Sequence, residues 1–446
     1  CSYNQLTALD VTNNTALTSL NCYNNQLTAL NLTNNTALTV LRCPENLLTF
    51  STLPVQHPNW TTYTYSPQEK LPLSKNEIAL NEEIDLSSQL TAGGNTTTYV
   101  WKTIDGVALI KDVDYTENNG KFVFLKQLSG FFYCEMSNES FPELTLSTEN
   151  VFITQDEPSI TMTTTTAVGS TFSFYISATA NSTPIQVDWG NGVFSNYTIG
   201  TSSSTVSGTL AGSTIKIYGL GIVHLNLSNN QLTALDVSNS TELKELECTL
   251  NQLTALDVTN NTALEKLECN NNQLTALDVT NNTALTRLFC SYNQLTALDV
   301  SNNIALTNLY CFDNQLVVID VSNNTALTNL GCSDNQLTAL DVSNNTALTT
   351  LFCSYNQLTT LDVINNTALE ELDCSSNQLT ALDVTKNIAL TNLYCYNIQL
   401  TALDVTNNTA LEELYCSYNQ LTALDVTNNT ALTSLNCYNN QLTAFD

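Results

Sequence analysis

Residues 264–285 read LEKLECNNNQLTALDVTNNTAL, and close variants of this stretch recur along much of the chain. Cysteine marks the repeat, because it returns every 21 residues in two series: Cys1, Cys22 and Cys43, and then Cys248, Cys269, Cys290, Cys311, Cys332, Cys353, Cys374, Cys395, Cys416 and Cys437. A strict period of this length indicates stacked coils, each too small to bury its own apolar face. The sequence therefore predicts a solenoid, which offers a long surface for binding.

Each half of the coil has the pattern of a short strand followed by a turn. The first half places Leu264, Leu267 and Cys269 before Asn272, and the second half repeats the pattern from Leu274. The alternation points the apolar residues of each half to one side of a strand. Asparagine suits the turns, because its side chain bonds backbone groups that would otherwise be unpaired. We therefore expect two parallel strands per coil, one on the cysteine side and one on the LTALDV side.

The L-x-x-L-x-[LC]-x-x-N-x-L pattern resembles the leucine-rich-repeat family, in particular the internalin-like proteins of bacterial surfaces. The resemblance covers residues 1–50 and 222–446, where the pattern recurs at one period. It implies a secreted or surface-anchored protein that binds a protein or a glycan without catalysis. In this chain cysteine stands in the third apolar slot, and the second half of the coil has the pattern of a strand rather than a helix.

Thirteen of the 14 cysteines occupy positions where leucine is usual. Free cysteine behaves as a small hydrophobic residue, so these positions predict a buried ladder. Cysteines on adjacent coils would lie about 4.8 Å apart and point in parallel. Parallel side chains fit the geometry of neither a disulfide nor a tetrahedral metal site, although both alternatives stay open.

The charge balance restricts the partners. The chain has 446 residues, with 41 acidic and 12 basic side chains and a net charge of −29. Such a charge argues against nucleic acid and anionic membranes as partners. No apolar run reaches the ~20 residues of a membrane helix. Since residue 1 is not Met and both termini fall inside a coil, we expect a fragment of a longer extracellular protein.

The repeat pattern breaks after residue 50 and resumes at residue 222, and changes of pattern divide the chain into five segments. We predict the end of a first leucine-rich array, a cap or linker, two β-sandwich modules and a second array, at residues 1–50, 51–70, 71–154, 157–221 and 222–446. The two modules show short alternating runs separated by turn signals. The expected fold is therefore mainly β, a leucine-rich-repeat β-solenoid with two inserted β-sandwich modules.

Each inserted module also resembles a known family. Trp101, followed by an aromatic run around Cys134, resembles the immunoglobulin-like core, in which a buried tryptophan faces a cysteine of a late strand. Cys134 has no partner cysteine in this segment. The sequence from Val187 to Gly192 resembles the W-G-D-G turn of small PKD-type sandwiches, although it also fits a plain hairpin turn.

Catalytic and metal motifs are missing from the sequence. The two histidines, His57 and His224, lie in different segments, and no serine-hydrolase elbow, Walker loop or H-E-x-x-H motif occurs. The run from Asp112 to Glu117 begins like a calcium loop but lacks its turn glycine and closing glutamate. We therefore predict that the chain is not an enzyme and needs no cofactor, with calcium at the aspartate ladder left open as an alternative.

One outward column of the second array is a ladder of aspartates on the LTALDV side: Asp236, Asp257, Asp278, Asp299, Asp320, Asp341, Asp362, Asp383, Asp404 and Asp425. Neighbouring carboxylates ~4.8 Å apart would repel by about 0.9 kcal/mol even in water. Two explanations stay open. Hydroxyls two residues further on would bridge the carboxylates from coil to coil, or Ca²⁺ would bind, with Asp257, Asp278, Asp299 and Asp341 as candidate ligands.

The other outward columns flank the cysteines and are rich in aromatic residues. The candidate ligand-binding residues are Phe289, Tyr310, Phe352, Tyr394 and Tyr415 before the cysteine, and Tyr292, Tyr355, Tyr396 and Tyr418 after it. These positions vary between coils, whereas LTALDV is nearly constant. Exposed aromatic residues are enriched at binding hot spots, and flat rings also suit sugars. Stacking across coils with no ligand is the structural alternative.

We therefore expect a non-catalytic adhesion or recognition protein outside the cell, either secreted or anchored to the cell surface. Its partner would be a protein or a glycan, held on the aromatic and acidic face of the second array. The alternative is a carbohydrate-binding component that supports a polysaccharide-degrading system.

Overall fold

The computed structural model describes residues 1–126, 128, 130–154 and 157–445, so Asp446, the last residue of the second array, lies outside this range. The described chain is mainly β, with one short 3-10 helix at Ser87–Gln89. No helix in this range is long and apolar enough to cross a membrane. The chain forms two compact units, Cys1–Glu157 with Ser182–Pro184, and Pro158–Asn181 with Ile185–Asp446.

The first unit begins with a short array, whose coils each give one strand to a parallel sheet. Its strands are β1 (Ser19–Asn21), β2 (Val40–Arg42) and β3 (Thr62–Thr64). The third strand lies in the predicted cap, so the array extends beyond residue 50. Gln68 supports this extra coil, because its Oε1 accepts hydrogen bonds from Asn46 N and Leu48 N and its Nε2 donates to Cys43 O.

The rest of the first unit forms four small sheets, in the orders β5-β10-β9, β12-β11-β8, β13-β4 and β6-β7. Their strands are β4 (Glu77–Ala79), β5 (Glu83–Asp85), β6 (Thr91–Ala92), β7 (Asn95–Thr96), β8 (Thr98–Thr103), β9 (Tyr115–Asn118), β10 (Lys121–Phe124), β11 (Phe132–Ser137), β12 (Thr145–Ser147) and β13 (Phe152–Thr154). Trp101 and Cys134 lie opposite each other on β8 and β11, and both are fully buried. The immunoglobulin-like assignment of 71–154 stays a prediction.

The second unit begins with six strands that extend both sides of the first coil. They are β14 (Ile160–Thr164), β15 (Thr171–Ala178), β16 (Thr183–Asp188), β17 (Phe194–Ile199), β18 (Ser204–Thr209) and β19 (Thr214–Tyr218). β15 pairs antiparallel with β20 (Ile222–Asn226) on the cysteine side, and β14 pairs antiparallel with β21 (Leu232–Asp236) on the LTALDV side. The segment thus covers the apolar end of the array. Its PKD-like assignment stays a prediction.

The second array has eleven coils, whose cysteine-side strands form one parallel sheet after β20. These strands are β22 (Glu245–Glu247), β23 (Lys266–Glu268), β24 (Arg287–Phe289), β25 (Asn308–Tyr310), β26 (Asn329–Gly331), β27 (Thr350–Phe352), β28 (Glu371–Asp373), β29 (Asn392–Tyr394), β30 (Glu413–Tyr415) and β32 (Ser434–Asn436). The register is constant, so each central leucine pairs with the next, as Leu330 does with Leu351. The β-solenoid prediction is confirmed.

The LTALDV side differs from the prediction, because most coils there form no paired strand. Apart from β21, the described strands on this side are the short pair β31 (Ala423–Leu424) and β33 (Ala444–Phe445). On this side of a typical coil, the backbone hydrogen bond to the neighbouring coil comes from the glutamine that precedes LTALDV. Gln336 N, for example, donates to Leu316 O. The expectation of a second full sheet was therefore wrong. The alternation does bury Leu340 and Val342 without a strand ladder.

Two columns of buried asparagines connect the coils. In the cysteine-side turn, Asn335 Oδ1 accepts a hydrogen bond from Leu316 N at 3.0 Å, and its Nδ2 donates to Cys311 O and Cys332 O. In the LTALDV-side turn, Asn345 Nδ2 donates to Val321 O and Asn324 O. Both side chains thus replace water as the partner of buried backbone groups.

The cysteines form the predicted ladder inside the array. All are free thiols, and those from Cys248 to Cys416 are buried. Burial is the main cause that raises the thiol pKa, to about 12 at Cys248 and well above the usual value at Cys269. Cys1, which was predicted to lie in the ladder, is exposed, and Cys437 is half-buried; both stand in the outermost coils that the structure describes.

Candidate functional site

The cysteine-side face is the outward surface of the sheet β20–β32 together with the two residues that follow each cysteine. On each strand the central leucine points inward, so the residues on either side of it point outward and are half-buried. The interior is filled by leucine and cysteine in every coil. The outward residues are therefore free to differ between coils without changing the core, as the sequence comparison of coils indicates.

Four aromatic rings from three coils form a first cluster on this face. Phe289 and Tyr310 have ring centroids 5.1 Å apart, and Tyr310 stacks on Phe312 at 5.5 Å with 17° between the planes. Phe312 then reaches Phe352 at 6.3 Å, across the intervening coil. Such spacings are typical of favourable aromatic pairs. The rings therefore make one continuous apolar surface.

Gly331 explains how Phe312 crosses that coil. It is buried and stands in the column where neighbouring coils carry Tyr310 and Phe352. A Cβ at this position would overlap the Phe312 ring and lie 2.7 Å from Tyr310 Cδ1. The missing side chain thus provides the space that the Phe312 ring occupies. Sequence reasoning missed this role, because the glycine looked like a gap in the aromatic column.

A pocket of ≈ 260 Å³ adjoins the first cluster. Aromatic residues and polar side chains with amide and hydroxyl groups surround it: Thr249, Asn270, Asn271, Phe289, Ser291, Tyr292, Tyr310 and Phe312. Apolar walls with a few polar groups are typical of ligand sites. Two predicted residues of the column before the cysteine, Phe289 and Tyr310, thus meet Tyr292 of the column after it.

A second cluster lies further along the array. Tyr394 and Tyr415 are in edge-to-face contact, with centroids 5.2 Å apart. The Tyr394 hydroxyl donates to Glu413 Oε2 at 2.7 Å and accepts from Asn392 Nδ2 at 3.1 Å. Burial, followed by the bond to Glu413, raises the pKa of Tyr394 to about 12. The hydroxyl therefore stays protonated and presents a fixed dipole on the face.

The exposed tyrosines form a separate column. Tyr292, Tyr355 and Tyr418, each the second residue after a cysteine, are 53%, 51% and 53% exposed. Their backbone is left-handed, with φ of 55°, 50° and 55°. Bulky residues adopt this conformation at a cost of roughly 1–2 kcal/mol, whereas asparagine and aspartate tolerate it. The three recur every 63 residues, or every third coil. Tyr396, the remaining predicted residue, is half-buried.

Acidic residues share the face with the second cluster; the sequence predicted an acidic face but named none of these residues as ligand-binding. Burial, followed by the charges of Asp373 and Glu413, raises the pKa of Glu371. Burial and the charges of Asp313 and Asp373 likewise raise the pKa of Asp334. The signal available in the sequence was a scarcity of basic residues: between 288 and 445 the chain has one, Lys386.

A group of three or more potential metal ligands occurs once in the described residues, at the start of the array. It consists of His224, Glu245 and Glu247, whose ligand atoms lie within 4.8 Å of one another. Glu247 already has partners at both oxygens, because Lys266 Nζ lies 2.7 Å from Oε1 and Asn226 Nδ2 donates to Oε2. A cation bound there would face the ammonium group of Lys266.

The aspartate ladder on the LTALDV side is bonded within each coil rather than between coils. Asp278 Oδ1, for example, accepts from Thr280 Oγ1 at 2.6 Å and from Thr280 N at 2.9 Å. These two bonds lower the pKa of Asp278, and the same pattern recurs at Asp257. The expected coil-to-coil hydroxyl bridges were therefore wrong. Calcium binding at Asp257, Asp278, Asp299 and Asp341 stays a prediction, which thermal melting in millimolar Ca²⁺ against EDTA would test.

Comparisons with known proteins agree with the repeat. A family model described as leucine-rich repeats (two copies) matches residues 346–387 and 409–446, and a model described as LVIVD repeat matches 310–332 and 330–357. A search of curated proteins gave no significant match.

Among solved structures, the functional domain of InlJ from Listeria monocytogenes, described as including a cysteine ladder, is 42% identical with a TM-score of 0.48. The match covers 56% of each chain, so this chain spans little more than half of that protein. A leucine-rich-repeat protein of Leptospira interrogans is 27% identical over 49% of this chain and 67% of its own, with a TM-score of 0.46. An internalin, InlF, also from Listeria monocytogenes, is 20% identical over 50% and 86%, with a TM-score of 0.36. The matched family model therefore shows leucine-rich repeats at residues 346–387 and 409–446.

Proposed function

We propose that this chain is a non-catalytic binding protein that acts outside the cell, secreted or anchored to a surface, and holds a protein or glycan ligand on its cysteine-side face. The observation that carries the proposal is the continuous aromatic surface formed by Phe289, Tyr310, Phe312 and Phe352 on one sheet. The alternative of ring stacking with no ligand predicts no loss of binding when these rings are removed.

The sheet suits this role because the face is held by the interior rather than by a mobile loop. Each strand from β22 to β30 has a buried leucine and is followed by a buried cysteine, as at Leu309 and Cys311. Rings fixed in this way lose little conformational freedom when a ligand binds. Rigid aromatic residues on such a surface supply most of the affinity at typical interfaces.

A carbohydrate ligand, in support of a polysaccharide-degrading system, is the second candidate. The aromatic rings around the pocket favour it, because flat amphipathic rings suit sugar rings. The adjoining pocket adds amide and hydroxyl groups from Asn270, Asn271 and Ser291 that match sugar hydroxyls.

The test is to probe labelled protein on a glycan array and on a peptide array. We expect the double substitution Tyr310→Ala with Tyr394→Ala to abolish the signals of the parent protein. Val317→Ala with Val318→Ala removes two exposed apolar side chains on the LTALDV side and should leave them intact. Signals on the glycan array alone would favour the carbohydrate candidate. Undiminished binding by the tyrosine double variant would refute the assignment of the face.

A further inference from the structure

The distal part of the cysteine-side face, from Asp313 to Tyr418, is acidic and contains no basic residue. Seven carboxylates lie on or beside its strands and turns: Asp313, Asp334, Glu370, Glu371, Asp373, Glu412 and Glu413. The one basic residue after Arg287, Lys386, follows the LTALDV segment of its coil, where it lowers the pKa of Asp383 together with stronger hydrogen bonds. The charge of the distal face is therefore uncompensated by its own side chains.

At the proximal end of the same face, lysines form ion pairs with the carboxylates. There Lys266 Nζ lies 2.7 Å from both Glu247 Oε1 and Glu268 Oε1, and Lys244 lies 2.8 Å from Glu265. Among the described residues, ion pairs of this kind are confined to positions before 269 on the array. The distal carboxylates instead repel one another, which contributes to the raised pKa of Glu371. A positively charged ligand would relieve that repulsion.

The aromatic residues between these carboxylates narrow the chemistry of the ligand. Tyr394 and Tyr415 lie beside Glu413, and Tyr355 stands exposed beyond Phe352. A guanidinium group stacks on aromatic rings and forms paired hydrogen bonds with a carboxylate, so an acidic and aromatic surface suits arginine better than lysine. Sugars carry no such charge in general, so the distal face favours a polypeptide.

The spacing of the exposed tyrosines indicates the shape of that polypeptide. Tyr355 and Tyr418 are three coils apart, which corresponds to ~14 Å at the spacing of parallel strands. An extended polypeptide covers this distance in about four residues, at roughly 3.3 Å each. Basic side chains at every fourth position of an extended segment would therefore be spaced like the exposed tyrosines, which recur every third coil.

We propose that the distal cysteine-side face, from Asp313 to Tyr418, binds an extended polypeptide segment with arginines about four residues apart. The proposal rests on the proposed function and adds the chemistry of the partner. Charge complementarity on such a face gives specificity and a fast association rate, which decreases as salt is added.

The experiment uses a fluorescein-labelled peptide with three arginines separated by Gly-Ser-Gly spacers, and the same peptide with citrulline, which has the shape of arginine without its charge. Fluorescence anisotropy at low salt should show binding of the arginine peptide only. The triple variant Asp334→Asn, Glu371→Gln and Asp373→Asn should weaken binding about tenfold. The matched control, with Asp→Asn at three ladder positions, removes equal charge from the LTALDV side and should change affinity less than about twofold.

Two results would overturn the inference. Equal weakening by both triple variants would show that net charge alone attracts the peptide, and equal binding of the citrulline peptide would show that charge is irrelevant. Melting curves establish that both variants are folded. If the arginine peptide fails while the arrays still report a ligand that is lost with the Tyr310 and Tyr394 substitutions, the inference falls and the proposed function stands.

Discussion

The asparagine column of the cysteine-side turn predicts the most damaging single polar substitution in the array. Replacing Asn335 by Ala removes the acceptor of Leu316 N and the donor to Cys311 O and Cys332 O. Leu316 is fully buried, so its N–H would have no water to replace the lost partner. A stranded buried donor costs about 1–3 kcal/mol, and the lost carbonyl bonds add about 1 kcal/mol each. We therefore expect a loss of about 3–5 kcal/mol.

The same coil offers two graded controls. Asn345→Ala also removes two carbonyl bonds, but Val321 O and Asn324 O keep backbone partners in Asn324 N and Leu327 N. The Oδ1 of Asn345 has no hydrogen-bond partner among the described residues, so no donor is stranded. About 1–2 kcal/mol should be lost. Asn344→Ala, at an exposed side chain with one bond to Ser322 O, should cost less than about 0.5 kcal/mol.

Thermal and urea unfolding followed by circular dichroism in reducing buffer would measure the series. In an array of this size, a loss of 3–5 kcal/mol lowers the melting temperature by about 10 °C. Tryptophan fluorescence supplies a second readout, because Trp60 and Trp101 lie in the first unit and Trp189 lies in the second unit, while the second array itself has no tryptophan. If Asn345→Ala destabilises the array as much as Asn335→Ala, the stranded amide of Leu316 is not the cause and the reasoning is wrong.

Four further outcomes follow from the same structure. Tyr355→Asn should stabilise the array by about 1 kcal/mol, since asparagine accepts the left-handed backbone, and unchanged urea unfolding would contradict this. Gly331→Ala should displace Phe312 and reduce near-ultraviolet circular dichroism with little change in melting temperature, because a ring edge can move whereas backbone cannot. The hydrogen bonds that lower the pKa of the ladder aspartates stabilise the fold above the unfolded pKa of about 4, so the melting temperature should fall as pH drops below that value and not between pH 7 and 5. A thiol reagent should leave the thiols from Cys248 to Cys416 unlabelled in the folded protein, and rapid labelling of any of them would contradict the buried ladder.

The sequence predicted the parts of the fold that depend on period alone. Leu267 and Cys269 are fully buried as expected, and the second array begins with Leu227 in the cysteine slot. The extra coil at β3 was missed because its turn has no asparagine. Gln68, which lies outside the repeat, makes the hydrogen bond to the cysteine carbonyl that asparagine makes in the other coils. The missing second sheet was also unpredictable, since LTALDV buries the same residues whether or not its backbone pairs with the next coil.

The site shows a similar division. Alternation placed Phe289, Tyr310, Phe352, Tyr394 and Tyr415 on the outward side of the strands, where the structure has them. Alternation predicts which way a side chain points but not which side chains touch, so it could not show that the aromatic residues form two clusters. The link through Phe312 depends on the steric space at one glycine in the sixth coil of the array. The unpaired negative charge of the distal cysteine-side face could be found in the sequence only by counting the basic residues of that face separately.

The residues with a left-handed backbone, two positions after each cysteine, bear on the function of the face. In that column Asn271, Asp313 and Asp334 fit the backbone, so the coil needs no bulky residue there. In the same position, the left-handed backbone of Tyr292, Tyr355 and Tyr418 is strained. About half of each side chain stays in water, so its burial offsets little of this strain. The recurrence of tyrosine at every third coil of this face supports the proposed contact with a ligand, while the edge-to-face contact of Tyr418 with Tyr438 at 5.4 Å supports the stacking alternative at that coil.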